Sequence, residues 1–134
     1  MRKRKLPQSI VSTLKRYGWE YEDYSYSYYQ HDDIVKSWVR FTKQYKGLEY
    51  PCVFDIIWGK EKPIKVCWSN KLQRKGYETR YWIQTCDEGF NSDLDITDKN
   101  RTGCFDITLL QSITEQFDSM YHFYNIRRDR IDLI

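Results

Sequence analysis

The chain contains no alanine in its 134 residues. Alanine is the best helix former, so its absence argues against an all-helical bundle. Histidine occurs twice, methionine twice and proline three times. No glycine-rich phosphate loop and no G-x-S-x-G elbow occurs, which removes the common linear signatures of nucleotide hydrolysis and acyl transfer. The four cysteines, Cys52, Cys67, Cys86 and Cys104, form no C-x-x-C pair. Four-cysteine metal sites come as two close pairs, so the expectation is reduced, buried thiols, with a zinc site or disulfides as the alternatives. No apolar run approaches the roughly 20 residues of a spanning helix. With a mean hydropathy of −0.80 and 31% charged residues, the expected setting is the cytoplasm, not the membrane. Met1-Arg2-Lys3-Arg4-Lys5 is basic, but Leu6-Pro7-Gln8-Ser9-Ile10 is no apolar core, so no secretion signal is read.

What is abundant is aromatic: 12 Tyr, 6 Phe and 5 Trp bring aromatics to 17%. Aromatic and β-branched side chains favour strands, so composition leans towards sheet. Scarce GC-codon residues and plentiful Lys, Tyr, Ile and Asn suggest an AT-rich coding source, such as a low-GC bacterium, its phage or its plasmids.

A chain of this length fits one domain, 1–134, with residues 1–5 as a flexible basic arm. Pro7, the spacing of Ile10, Val11, Leu14 and Tyr17, and Gly18 predict a short helix over 7–17. Alternating Tyr24, Tyr26 and Tyr28 predict a strand within 19–30. Further strands are expected at about 34–44, 48–58, 64–69 and 77–87, with a hairpin loop at 45–47, a turn at 59–63 and a basic loop at 70–76. Pro51 cannot donate to a ladder and marks a strand start or edge. Residues 88–105 read as a polar loop. Asp106 then caps a helix over 107–124, with Leu110, Ile113, Phe117, Met120 and Tyr124 on one stripe. Residues 126–134 alternate weakly, as a short edge strand would. The resulting fold class is α+β: an antiparallel sheet of about four to six strands with both helices packed on one face.

Charge is segregated along the chain. Residues 1–16 hold six bases and no acids, and residues 59–82 hold seven bases and two acids. Residues 83–125 hold two bases and eight acids. A bipolar molecule is the expectation, and such fields steer charged partners. The second basic segment also carries Trp58, Trp68, Tyr77, Tyr81 and Trp82. Cations beside ring faces are what single-stranded nucleic acid requires. Arg2, Lys3, Arg4, Lys5, Lys65, Trp68, Lys71, Arg74, Lys75, Tyr77, Arg80 and Trp82 are therefore candidate nucleic-acid contacts. The competing reading is rings in the core and an ordinary solvated face of lysines.

Tyr24, Tyr26 and Tyr28, with the acids Asp87, Glu88, Asp93, Asp95 and Asp98, are candidate contacts to a protein partner. Tyrosine offers large area with a polar tip, and an acidic surface can dock on a basic groove. The acids do not fit an EF-hand calcium loop, because neither Gly nor Glu falls in place. His31-Asp32-Asp33 is better explained as a polar turn than as a metal site. Asp55 resembles the first acid of a metal-dependent nuclease, but the next strand supplies no acid-x-Lys. No catalytic residue, metal or cofactor is assigned.

Three functions remain. The first is a small non-enzymatic binding protein of phage or mobile-element origin, acting on a host protein or nucleoprotein as an anti-CRISPR-like or other anti-defence inhibitor. The second is a protein that binds single-stranded DNA or RNA. The third is an enzyme of unrecognised type.

Overall fold

The computed structural model describes residues 6–31, 34–61, 64–65, 72–73, 77–87, 89–100 and 105–132, with side chains over 6–22, 37–59, 78–87, 89–99 and 105–128. In chain order the elements are α1 (Gln8–Arg16), β1 (Glu20–His31), β2 (Ile34–Lys43), β3 (Cys52–Glu61), β4 (Ile64–Lys65), β5 (Leu72–Gln73), β6 (Tyr77–Gln84), β7 (Asp93–Asn100) and α2 (Ile107–Asp132). The main sheet has five strands in the order β1-β2-β3-β6-β7, and β4 pairs with β5 separately. Every neighbouring pair is antiparallel. The α+β architecture expected from the sequence is the one observed.

The stop of α1 and the start of α2 fall where local chemistry dictates. At the end of α1, Gly18 takes φ +89. Its N–H donates to the Lys15 carbonyl at 3.0 Å and that of Trp19 donates to Leu14 at 2.9 Å. This is a Schellman stop, completed by burial of Trp19 with Leu14. At the start of α2, the Asp106 Oδ1 accepts from the Leu109 N–H at 3.0 Å, the capping role read from the sequence.

Alternation along the strands sorts the sheet into two faces. Val39 and Phe41 of β2, Phe54, Ile56 and Trp58 of β3, and Tyr81 and Ile83 of β6 are buried on one side. Against them pack Ile10 and Leu14 of α1 and Leu110, Ile113 and Phe117 of α2. Each such side chain contributes about 1.5–3 kcal/mol by leaving water. Trp19 sits at the junction, with its ring 5.4 Å from Phe54 and 6.2 Å from Phe117. Among the described residues, no helix packs on the other face, and no helix is long and apolar enough to cross a membrane.

Several sequence expectations need correction. Residues 93–100, expected within a polar loop, are strand β7. Leu94 and Ile96 point to the core and are partly buried, while Asp93 and Asp95 face out, so the period of two is present beneath residues of low strand propensity. Residues 126–132, expected to be an edge strand, continue α2. No glycine or proline interrupts this helix, and Arg128 anchors it to the 44–51 loop by donating to the Gly47 carbonyl at 3.2 Å. β3 starts at Cys52, directly after Pro51, not at 48. Of the strand expected at 64–69, Ile64–Lys65 is β4; residues 66–69 lie outside the described residues. Cys86 is exposed instead of buried. Cys52 is buried as expected, and burial pushes its thiol up to about 12. Cys67 and Cys104 lie outside the described residues.

Candidate interaction surface on the helix-free sheet face

The antiparallel register arranges the helix-free face into rows that cross all five strands. The first is Glu20–Thr42–Val53–Gln84–Asp93, and the second is Glu22–Arg40–Asp55–Trp82–Asp95. The third places Trp38, Ile57, Arg80 and Thr97 side by side, and the fourth aligns Lys36, Gly59, Glu78 and Lys99. Residues opposite one another in a ladder share a face, so these rows are the chemical content of the surface.

At its centre are two similar assemblies. The Arg40 Nε and Nη2 donate to Asp55 Oδ1 and Oδ2 at 2.8 and 3.1 Å, and the guanidinium lies 5.0 Å from the Trp38 ring centre. The Arg80 Nε and Nη2 donate to Asp95 Oδ1 and Oδ2 at 2.8 and 2.6 Å, and this guanidinium lies 4.2 Å from the Trp82 ring centre. Each arginine is thus held by a bidentate carboxylate along one edge and by a ring across one face. The local sequences explain the symmetry: Trp38-x-Arg40 on β2 and Arg80-x-Trp82 on β6 each put both residues on one face.

The two carboxylates differ in setting. Asp55, on the central strand, has a side chain only 4% exposed, whereas that of Asp95, on the edge strand, is 42% exposed. The hydrogen bonds from Arg80 hold the Asp95 carboxyl below its ordinary value. Both oxygens of Asp55 accept from Arg40, which gives the nuclease-like acid of the sequence a structural duty. Among the described residues, no group of three His, Cys, Asp or Glu side chains could hold a metal ion.

The sequence candidates disperse in three ways. Arg80 and Trp82, read as nucleic-acid contacts, stand on this face together with Asp93 and Asp95, read as protein contacts. β6, from the basic segment, and β7, from the acidic one, are neighbours, and Arg80 reaches across to Asp95. Asp98 belongs to the other face, because its row partners Thr79 and Trp58 are buried. Asp87 is a loop brace: its carboxylate accepts from the Glu49 N–H at 2.8 Å and the Gly89 N–H at 2.9 Å. These bonds, that from Glu49 foremost, lower its pKa. Of the rings expected beside the basic segment, Trp58 and Tyr81 are core residues.

Tyr24 and Tyr26 fall in a break of the β1 ladder. Glu22 pairs with Arg40 and Ser27 with Trp38, so residues 23–26 stand against Val39 alone. Tyr28 pairs with Ser37. Lys65 lies in β4, and Tyr77 opens β6 opposite Lys60. Arg2, Lys3, Arg4, Lys5, Trp68, Lys71, Arg74, Lys75 and Glu88 lie outside the described residues. Trp38, Arg40 and Ile57 were not among the sequence candidates, although the mirrored Trp-x-Arg and Arg-x-Trp spacings were there to be read. No protein-family model, no curated protein and no solved structure matches this chain.

Proposed function

We propose that this chain is a small non-enzymatic binding protein that uses the helix-free sheet face to dock on a host protein or nucleoprotein. An inhibitor encoded by a phage or other mobile element, of the anti-CRISPR-like or other anti-defence type, is the concrete form. The observation that carries the reading is the pair of Trp–Arg–Asp assemblies on the helix-free face. Tryptophan and arginine are the residues that most often dominate interface energies. Here each arginine is already immobilised by its carboxylate and its ring, so little side-chain entropy remains to be lost on docking.

The test is affinity capture from a low-GC bacterial host lysate, with the wild type beside the Trp38→Ala/Trp82→Ala double variant. A discrete partner retained by the wild type and reduced about ten-fold or more by the variant is expected. Equal retention would remove this face as the docking surface.

Binding to single-stranded nucleic acid is the second reading, favoured by one topological fact. The chain leaves β3 near Lys60 and re-enters β6 at Tyr77, its pairing partner, and the intervening stretch carries Lys62, Lys65, Lys71, Arg74 and Lys75. The two described positions that flank this stretch, Lys60 and Tyr77, lie at the end of the sheet where Lys36 and Lys99 share a row. Tryptophan fluorescence titrated with single-stranded DNA, single-stranded RNA and duplex DNA would show salt-dependent quenching that Lys71→Glu/Arg74→Glu weakens. No quenching at low salt would leave the protein-docking reading alone.

A further inference from the structure

Charge is unevenly shared between the two ends of the helix-free face. The first two rows contain Glu20, Glu22, Asp55, Asp93 and Asp95 against the single base Arg40. Even when Arg80 is counted, because it reaches Asp95 from the third row, this half carries three more acids than bases. The fourth row carries Lys36 and Lys99 against Glu78.

We propose that the acidic half of this face imitates a nucleic-acid backbone and docks in the cationic groove of a protein that binds nucleic acid. The inference rests on the docking reading above and adds the chemistry of the partner. Its geometry follows from the sheet. Glu20 and Glu22 line the β1 edge, and Asp93 and Asp95 line the β7 edge, at opposite sides of the five strands. Alternate residues on a strand are about 6.8 Å apart, and four strand spacings separate the two lines by about 19 Å. Each strand of duplex DNA advances one charge per about 3.4 Å along the helix axis, so each acid pair spans two such steps. Between the lines lies a floor formed by Val53, Trp82 and the Arg40–Asp55 pair.

This layout selects among ligands. A small cation needs oxygens that converge, and carboxylates on opposite sheet edges do not. Nucleic acid is repelled by an acid excess. A second copy would set like charges against like. A wide cationic protein surface satisfies both lines at once, and its basic groups would be steered there from a distance.

The probe is a nona-arginine peptide, followed by amide NMR shifts and calorimetry at low salt on the full chain. Shifts at residues 20–22, 53–55, 82–84 and 93–95 are expected. Glu20→Lys/Asp93→Lys should weaken binding about ten-fold or more, and the milder Glu20→Gln/Asp93→Asn by a smaller factor. Glu49→Lys, an exposed acid outside the rows, should change it less than about two-fold. Shifts confined to other regions, or an equal loss from Glu49→Lys, would overturn the proposal. If the acid rows fail while tryptophan-dependent capture persists, the docking face stands and the mimicry is wrong; if both fail, so does the docking reading.

Discussion

Arg40 and Asp55 are unequal partners, and the inequality is measurable. The side chain of Asp55 is almost wholly buried, while that of Arg40 is 37% exposed. Deleting Arg40 strands a carboxylate that water barely reaches; neutralising Asp55 leaves a guanidinium that can turn to solvent. Arg40→Ala is therefore expected to cost about 3 kcal/mol and Asp55→Asn about 1 kcal/mol, read from urea denaturation at neutral pH. Equal costs would mean that Arg40 holds Asp55 no more than Asp55 holds Arg40. The individual residues of this pair were visible in the sequence, but their partnership was not. It joins positions 15 apart through a hairpin register, and a register cannot be read from either strand alone. The same holds for Arg80 and Asp95, which belong to sequence segments of opposite net charge.

Elements were legible where periodicity and capping agreed. The start of α2 at Ile107 followed from Asp106, and the stop of α1 from Gly18. They were obscured where composition disguised the period. In β7 the alternation of Leu94 and Ile96 was masked by aspartates, and at the end of α2 a weak alternation over 126–134 suggested an edge strand where the helix continues. The helix persists there because loops grip it. The Tyr121 hydroxyl donates to the Lys46 carbonyl, and Arg128 reaches Gly47 while its guanidinium lies 5.6 Å from the Tyr124 ring centre. The neighbouring 87–90 loop is braced by Asp87. Because the folded pKa of Asp87 is lowered, its stabilisation is fully present above its unfolded value of about 3.9 and is lost as pH falls through the lower folded value. Asp87→Ala should lower the melting temperature at pH 7, and the gap to the wild type should close in strong acid. A gap independent of pH would show that the ionised carboxylate is not what braces the loop.

Across the whole molecule, α1, the sheet and α2 behave as one packed unit because a few side chains touch all three layers. The Lys43 Nζ donates to the Tyr17 carbonyl at 2.7 Å and to Asp118 Oδ1 at 3.1 Å. The Tyr45 hydroxyl donates to the same Asp118 oxygen at 2.5 Å. Burial and this bond push the Tyr45 pKa far above its ordinary value. Phe117 lies beneath, with its ring 5.8 Å from Tyr45 and 5.6 Å from Phe90. Phe117→Ala should cost about 3–5 kcal/mol. Helix circular dichroism and tryptophan fluorescence should still fall in one coincident transition; separated transitions would mean that the helices and sheet unfold independently. The layered plan was legible from length, strand count and helix stripes. The charge pattern was legible only in part, because folding sets β6 beside β7 and mixes opposite segments, while a gradient survives along the strands. One consequence concerns what this sheet does not join. Its two borders are β1 and β7, and an open border is where sheets of separate molecules stitch together into aggregates. The four residues of β1 that stand against Val39 break the regular spacing a foreign strand would need, and the aspartates of β7 repel another copy of the same border. Both borders of a sheet rich in tyrosine and tryptophan thus carry features that oppose edge-to-edge stitching between copies.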